Sequence, residues 1–120
     1  MAYQVQITQI SGDGGGPIIR NTSGNGDRFR IFPNGSYDAV SSGAGQIIYE
    51  QPNKAILTGY NVTNLVTVIA RGSNIYLYIN QQYIASMTDA SVSCGQIGVM
   101  SADYGTSTDV AFKNAKVWTF

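Results

Sequence analysis

The chain has 120 residues, of which seven are basic and seven acidic, so its formal net charge at pH 7 is zero. A length of this order predicts a single domain, residues 1–120, that is large enough to form a core without disulfide bonds or a structural metal. Charged residues make up only 12 % of the chain, about half the usual share, so amide and hydroxyl side chains must make the surface polar. Such a surface offers little to a phosphate backbone, which excludes nucleic acid as the main partner.

Histidine and cysteine usage excludes further classes. The chain has no histidine, the commonest general base and metal ligand, and Cys94 is its only cysteine. An internal disulfide and a cysteine-based zinc site are therefore excluded, and Cys94 is expected to be a small buried strand residue. Residues 1–20 show neither a signal peptide nor a membrane span. Because neutral, amide- and hydroxyl-rich surfaces are common on β-proteins outside the cytoplasm, we expect an extracellular or extracytoplasmic location.

Residues 2–21 predict two strands around a glycine-rich stretch. Val5 and Ile7 alternate with polar residues in AYQVQITQI, which predicts a half-buried strand. SGDGGG predicts an irregular loop, and it lacks the lysine of a phosphate-binding loop. PIIRN predicts a short strand, with Pro17 at its start or on a sheet edge.

A hairpin follows these strands. DRFRIF places Phe29 and Ile31 on one face of a strand and Arg28, Arg30 and Phe32 on the other. PNGS is a strong tight-turn signal, so SYDAV is predicted to return beside DRFRIF.

The rest of the chain completes an all-β pattern. Residues Gln46–Tyr49 predict a short strand, NLVTVIA a strand buried on both faces, and Thr108–Phe120 the closing strand. IYLYIN and QQYIASM are joined by a tight turn at Asn80–Gln81, where glycine is more usual because it tolerates positive φ. About ten short strands without a helical period predict an all-β fold, an antiparallel two-sheet β-sandwich.

Four segments together resemble one known family. They are AYQVQITQISGDGGGPIIR, which ends in Arg20, then DRFRIFPNGSYDAV, NLVTVIARGSNIYLYINQQYIASMTD, and finally GQIGVMSADYG with TDVAFKNAKVW. Their order resembles the concanavalin A-like lectin/glucanase (laminin-G-like) jelly rolls found attached to bacterial sensor kinases and secreted proteins. The resemblance implies a concanavalin A-like jelly roll of bacterial origin. It also implies that the closing strand Val110–Trp118 lacks its customary N-terminal neighbour, which would leave a sheet edge open to a second copy of the chain.

Catalysis is not expected from these residues. Glucanases of this fold carry two glutamates and an aspartate alternating on one strand, because cleavage needs paired carboxyl groups. Here Glu50 is the single glutamate and is predicted to lie in a loop, while the six aspartates never alternate on a strand. Nucleophilic triads are absent for lack of histidine. We therefore predict a non-enzymatic protein.

Carbohydrate binding is the leading functional hypothesis. Sugars stack their C–H faces on aromatic rings, and their hydroxyls bond planar polar groups such as arginine and asparagine. Residues of these types are predicted to face outward and would form one platform if their strands shared a sheet, whereas a structural interpretation makes them ordinary cross-strand pairs. The candidate carbohydrate-binding residues are Arg28, Arg30, Tyr76, Tyr78 and Asn80, with Tyr37 near a loop, and Tyr49, Tyr60 and Tyr104 are further aromatics expected near loops.

A calcium site is the other candidate. Related lectin-like domains often hold Ca²⁺ at a loop rim, and Asp13 and Asp103 are the corresponding candidate ligands here. An aspartate in a turn more often bonds its own backbone, so both interpretations stay open. No other cofactor is expected.

The sequence thus predicts a non-catalytic, lectin-like recognition module whose partner is a glycan. One alternative is a structural module that self-assembles through its sheet edges or faces. Another is an excised or engineered scaffold core without a ligand.

Overall fold

The computed structural model describes residues 1–22, 25–41, 46–89, 96–102 and 107–119. Ten strands cover most of them, and none of these residues belongs to a helix that could cross a membrane. The strands are β1 (Ala2–Ser11), β2 (Gly14–Thr22), β3 (Asn25–Ile31), β4 (Ser36–Ser41), β5 (Gln46–Pro52), β6 (Thr63–Arg71), β7 (Asn74–Ile79), β8 (Gln82–Thr88), β9 (Gln96–Ala102) and β10 (Asp109–Trp118).

The strands form two antiparallel sheets packed face to face. Sheet A has the order β10-β1-β6-β7-β8, and sheet B has the order β5-β4-β3-β2-β9. Each sheet combines strands from both ends of the chain, so the domain closes only when the last strands pair with the first two. The predicted all-β, antiparallel two-sheet sandwich is confirmed.

The core lies between the sheets and follows the alternation read from the sequence. Val5 and Ile7 of β1 face Phe29 and Ile31 of β3 across the interior, and all four side chains are at most 5 % exposed. Burying each such side chain contributes roughly 1.5–3 kcal/mol. This packing fixes which residues of each strand point outward, and the outward residues are the ones that can meet a ligand.

The glycine run corrects the first expectation. SGDGGG was predicted to be an irregular loop, but β2 begins at Gly14 and pairs with both β3 and β9. A Cβ at Gly14 would lie 2.6 Å from the Phe32 ring, and one at Gly16 would lie 1.8 Å from the Phe29 carbonyl oxygen. The missing side chains therefore let Phe32 and β3 close over β2, and this packing overrides the weak strand propensity of glycine.

Two further strand predictions are corrected. Pro17 lies inside sheet B rather than at its edge, and the β2–β3 pairing skips from Gly15 to Ile18, so the ladder is interrupted where proline lacks an N–H. The NLVTVIA segment is not buried on both faces. Its residues alternate between buried and half-buried positions along β6, because sheet A has only one covered face.

The β7–β8 turn lies where the sequence predicts it. Asn80 and Gln81 have φ values of 52° and 68°, so two non-glycine residues adopt the left-handed conformation. The Asn80 side chain holds this geometry: its Oδ1 accepts from the Leu65 N–H at 2.8 Å, and its Nδ2 donates to the Ala55 carbonyl at 2.7 Å. The side chain thus supplies what glycine usually supplies through conformational freedom.

The closing strand has a neighbour. β10 pairs antiparallel with β1 from Ala2↔Trp118 to Ser11↔Asp109, so the expectation that it lacks a partner on that side is wrong. Its other side is an edge of sheet A. Asn114 has a φ of 56° at a register shift in this strand, and Lys113 and Lys116 are exposed on it.

Candidate functional site

The outer face of sheet B carries the main concentration of charged side chains in the described strands. Phe29 and Ile31 point into the core, so the alternating residues Arg28 and Arg30 point outward. On the neighbouring strand β4, Arg30 pairs in register with Asp38. The predicted orientation of DRFRIF is therefore confirmed.

Arg30 and Asp38 form a two-pronged ion pair at the centre of this face. Arg30 Nε donates to Asp38 Oδ1 at 2.9 Å, and Nη2 donates to Oδ2. Their side chains are only 16 % and 12 % exposed, and the guanidinium carbon lies 5.7 Å from the centre of the Phe32 ring. The fork and the ring hold both groups in one plane. A planar donor–acceptor pair of this kind is suited to bonding neighbouring hydroxyl groups.

Edge strand β5 borders the pair with exposed groups. The register between β4 and β5 shifts between Tyr37 and Ala39, which leaves Tyr49 and Glu50 beside Asp38. Tyr49 is 76 % exposed although it lies in a strand. A solvent-facing aromatic ring next to a fixed polar pair gives an apolar surface and directional hydrogen bonds side by side.

An open cleft continues the face toward the β3–β4 turn. Its volume is about 310 Å³, and its lining is Gly12, Asp13, Phe32, Pro33, Asn34, Glu50 and Tyr60. The Tyr60 hydroxyl donates to the Gly12 carbonyl at 2.9 Å, which fixes the ring at the rim. Since Phe32 contacts Arg30 and also lines the cleft, the cleft and the ion pair form one continuous surface, here named the binding face.

The single platform predicted from the sequence is wrong. Arg28 and Arg30 lie in sheet B, whereas Tyr76 and Tyr78 lie on β7 in sheet A, so they occupy opposite outer faces of the sandwich. Tyr76 and Tyr78 do point outward, as predicted. The Tyr78 ring packs edge-on against Tyr83 at 5.7 Å, an ordinary cross-strand contact.

Two other candidates, Tyr37 and Asn80, hold the structure together and do not face a ligand. Tyr37 is 4 % exposed and belongs to the core, so its prediction as a ligand-facing residue near a loop is wrong. Burial, with a smaller effect from Tyr83, raises its pKa. Asn80 uses its side chain to hold the β7–β8 turn and is not available to a ligand. Both residues were assigned by composition, which does not distinguish an outward strand position from a buried one.

The calcium candidates are only partly described. Asp13 lines the cleft, and its backbone N–H donates to the Thr108 hydroxyl at 2.9 Å. Asp103 and Cys94 lie outside the described residues. No group of three or more carboxylate or cysteine side chains that could hold a metal ion occurs in the part of the chain that the structure describes. The calcium site therefore stays a prediction.

Sequence reasoning missed Asp38 and Glu50 as residues of this face, and it named Tyr49 only as an aromatic residue near a loop, whereas Tyr49 lies in β5. A signal for Asp38 existed, because a hairpin with its turn at PNGS places Asp38 opposite Arg30. Tyr49 and Glu50 had no such signal. The positions of Tyr49 and Glu50 depend on the register shift between β4 and β5, which no local sequence pattern predicts.

A second charged cluster lies inside the sandwich, on the opposite side of sheet B. Arg20 is buried with a φ of 51° and donates to the backbone carbonyls of Asp89, at 3.1 Å, and Gly72. The Asp27 carboxylate is fully buried, and neither oxygen has a partner at ordinary hydrogen-bond geometry, although Asp89 and Ser41 lie near it. Desolvation and the neighbouring Asp89 raise the pKa of Asp27 to about 6.

Comparisons with known proteins identify the fold. No family model and no curated protein sequence matches the chain. Among solved structures, it is similar to the carbohydrate-binding module CBM66 from Bacillus subtilis, with 20 % identity, a TM-score of 0.74, and coverage of 95 % of this chain and 71 % of that one.

Two other lectin-type structures are similar at lower scores. Galectin LEC-6 from Caenorhabditis elegans has 16 % identity and a TM-score of 0.62, over 97 % of this chain and 81 % of that one. The CBM40 of the Ruminococcus gnavus IT-sialidase, bound to α2,6-sialyllactose, has 15 % identity and a TM-score of 0.53, over 82 % and 62 %. The chain therefore has the jelly-roll β-sandwich fold of carbohydrate-binding modules and galectins.

Proposed function

We propose that this protein is a non-catalytic carbohydrate-binding module whose ligand lies on the binding face of sheet B. The observation that carries the proposal is the planar Arg30–Asp38 pair beside the exposed Tyr49 ring. The likeness to carbohydrate-binding modules and galectins supports the ligand class. Because fold analogy alone does not fix a function, the proposal depends on the residues of the face.

The chemistry of the face matches the chemistry of a sugar. The Arg30 guanidinium and the Asp38 carboxylate offer donors and acceptors held in one plane, so two neighbouring hydroxyls can bond them without reorganisation. Tyr49 supplies an aromatic surface for the C–H face of a ring. The cleft at Glu50 and Tyr60 extends the face, so more than one sugar unit can be accommodated.

The disposition of carboxyl groups supports binding without catalysis. A glycosidase needs a carboxylic acid with a raised pKa beside a second carboxylate at the ligand. Among the described residues, Asp27 is a carboxyl whose pKa is raised, to about 6, and it faces the interior of the sandwich rather than the cleft. Asp38 on the binding face is held by Arg30.

The test is a glycan array followed by titration calorimetry with the oligosaccharides that bind. Arg30→Ala should weaken binding at least tenfold, because it removes hydrogen bonds to a charged group and leaves Asp38 unpaired. Tyr78→Ala on the opposite sheet is the matched control and should change affinity less than twofold. Binding to no glycan on the array would contradict the proposal, as would equal losses from the two variants.

Self-association through a sheet edge remains the second candidate, and β10 disfavours one route to it. Lys113, Lys116 and the left-handed Asn114 interrupt the exposed side of this strand. Charged side chains and bulges on edge strands discourage pairing with another chain. We therefore expect a monomer at micromolar concentration, and sedimentation velocity would reveal a concentration-dependent dimer. An extracellular location is part of the same proposal, supported by the low charge of the chain.

A further inference from the structure

Arg28 lies in the middle of an otherwise apolar row that crosses the outer face of sheet B. The pairings place Ile18 on one side of it and Val40 on the other, and Gly98 and Ile47 lie beyond these in register. Arg28 and Arg30 are consecutive outward-facing residues of β3. The row through Arg28 therefore runs beside the ion pair, on the side away from the cleft. An arginine in such a row is unusual, because its neighbours across the strands provide no hydrogen-bonding side chain.

The Arg28 guanidinium has no counter-charge within the described part of the chain. Its Nε is buried without a hydrogen-bond partner, and no ion pair of Arg28 is found among the residues the structure covers. The adjacent Asp27 points to the interior and does not reach the outer face. Arg30, two residues away, forms an ion pair with the Asp38 carboxylate. One of the two outward arginines is therefore neutralised, and the other keeps a positive charge.

A half-buried cation without a partner destabilises the free protein, because burial removes water that would otherwise solvate it. A bound anion would supply the missing hydrogen bonds. We propose that Arg28 binds an anionic substituent, a carboxylate or a sulfate, of the carbohydrate, so that this module selects acidic glycans. The proposal rests on the proposed function and deepens it.

The spacing suits a single ligand. Outward residues two positions apart on a strand are separated by about 7 Å, which is comparable to the width of one sugar ring. When an anionic group of the ligand binds Arg28, hydroxyls of the same sugar or of the next one can therefore bond the Arg30–Asp38 pair. Ile18, Val40 and Ile47 contact the apolar C–H edges around the charged group. One unpaired arginine on a chain of zero net charge suits one anion rather than a polyanionic backbone.

Pairs of glycans that differ only in the charged group test this inference. We would titrate galacturonic acid against galactose, which differ only in a carboxylate or a hydroxymethyl group at C5, and galactose 6-sulfate against galactose, at 50 mM NaCl. The acidic member of at least one pair should bind about tenfold more tightly, because hydrogen bonds to charged groups are the strong ones. The preference should fall at 300 mM NaCl, since salt screens a partly exposed charge. The two pairs distinguish a carboxylate from a sulfate as the recognised group.

Variants assign the preference to Arg28. Arg28→Gln should abolish the difference between the members of a pair while leaving the affinity for the neutral member within twofold. Arg28→Lys keeps the charge but loses the planar fork, so it should retain part of the preference. Arg71→Gln, at an exposed arginine of sheet A, is the matched control and should leave the preference intact. A thermal unfolding midpoint of Arg28→Gln no lower than that of the wild-type protein would show that the fold is preserved.

The outcomes separate this inference from the proposed function. Equal binding of both members of each pair, with a loss in Arg30→Ala, would overturn acidic selectivity and leave carbohydrate binding in place. A preference that survives Arg28→Gln would overturn the role of Arg28. Absence of binding to any glycan, neutral or acidic, would overturn both.

Discussion

Two groups of arginine and aspartate lie on opposite sides of sheet B, and their comparison shows how position decides their roles. On the outer face, Arg30 and Asp38 bond each other side by side and remain partly exposed. On the inner side, Arg20 bonds only backbone carbonyls, while Asp27 is fully buried without a regular partner. The outer pair is partly open to solvent, and it is there that we propose the ligand binds, whereas the inner cluster joins the two sheets at one end of the sandwich.

The difference teaches that composition alone does not separate a binding residue from a structural one. The outer ion pair keeps some contact with water, so breaking it is expected to cost less stability than removing a fully buried charged group. A buried guanidinium that bridges β2 to the β6–β7 turn and to the end of β8 contributes much more, since its removal leaves two backbone carbonyl oxygens without their donor. Variants in the two groups should therefore affect different measurements.

The largest expected effect is on stability, from Arg20→Met. The substitution removes the buried guanidinium beside Asp27 and Asp89, and losses of about 3–5 kcal/mol are typical when one member of a buried charged group is removed. Urea unfolding followed by tryptophan fluorescence measures the free energy of unfolding. Arg71→Met, an exposed arginine at the neighbouring turn, is the control and should lose less than about 0.5 kcal/mol. Similar losses in the two variants would contradict a special role of Arg20.

The next effect is a pH dependence from Asp27. Its pKa is raised from an ordinary 3.8 to about 6, so the folded protein holds this proton more tightly than the unfolded chain. The stabilisation is fully present below about pH 4 and is lost as pH rises through about 6, a total of about 3 kcal/mol at 1.36 kcal/mol per pKa unit.

Asp27→Asn should remove this dependence, because the amide stays neutral at every pH. Free energies of unfolding at pH 3 and pH 8 should therefore differ by about 3 kcal/mol less in the variant than in the wild-type protein. Asp109→Asn, an exposed aspartate on β10, should leave the wild-type difference unchanged. A wild-type protein whose stability contains no component falling through pH 6 would contradict the buried, protonated Asp27.

The smallest effect concerns the aromatic residue of the binding face. Tyr49→Ala removes a ring that is 76 % exposed, so the fold should tolerate it, while affinity for a bound oligosaccharide should fall by on the order of 1 kcal/mol, or about fivefold. Tyr83→Ala on sheet A, where the ring packs on Tyr78, should show the converse: a small loss of stability and unchanged affinity. Calorimetry and thermal unfolding of both variants check the two halves of this prediction.

Much of the fold could be predicted from the sequence, because it rests on local patterns. Alternation in DRFRIF assigned Phe29 and Ile31 to the core and Arg28 and Arg30 to the surface, and the PNGS turn fixed the β3–β4 hairpin. The Asn80–Gln81 turn was found despite its missing glycine, because the apolar alternation reverses on either side of it.

The rest depended on contacts between distant segments. Whether β3 and β7 share a sheet is decided by which strands pair across the whole chain, so the platform that joined Arg28 to Tyr76 could not be tested locally. The strand at Gly14–Gly16 was missed for a related reason. Its regularity comes from the close approach of Phe29 of the next strand and of Phe32 directly after that strand, and these contacts override the flexibility of glycine.

The turn at Asn80 and Gln81 is a place where the stability of the protein can be increased. Only Asn80 uses its side chain to hold the turn, so the exposed Gln81 adopts a left-handed backbone with no compensating side-chain bond in the part of the chain seen here. A non-glycine residue in that conformation costs roughly 1–2 kcal/mol. Glycine at this position would relieve the strain in the sheet that does not carry the binding face. Stability can thus be raised independently of recognition, and a weakened binding-face variant built on that background should keep its fold.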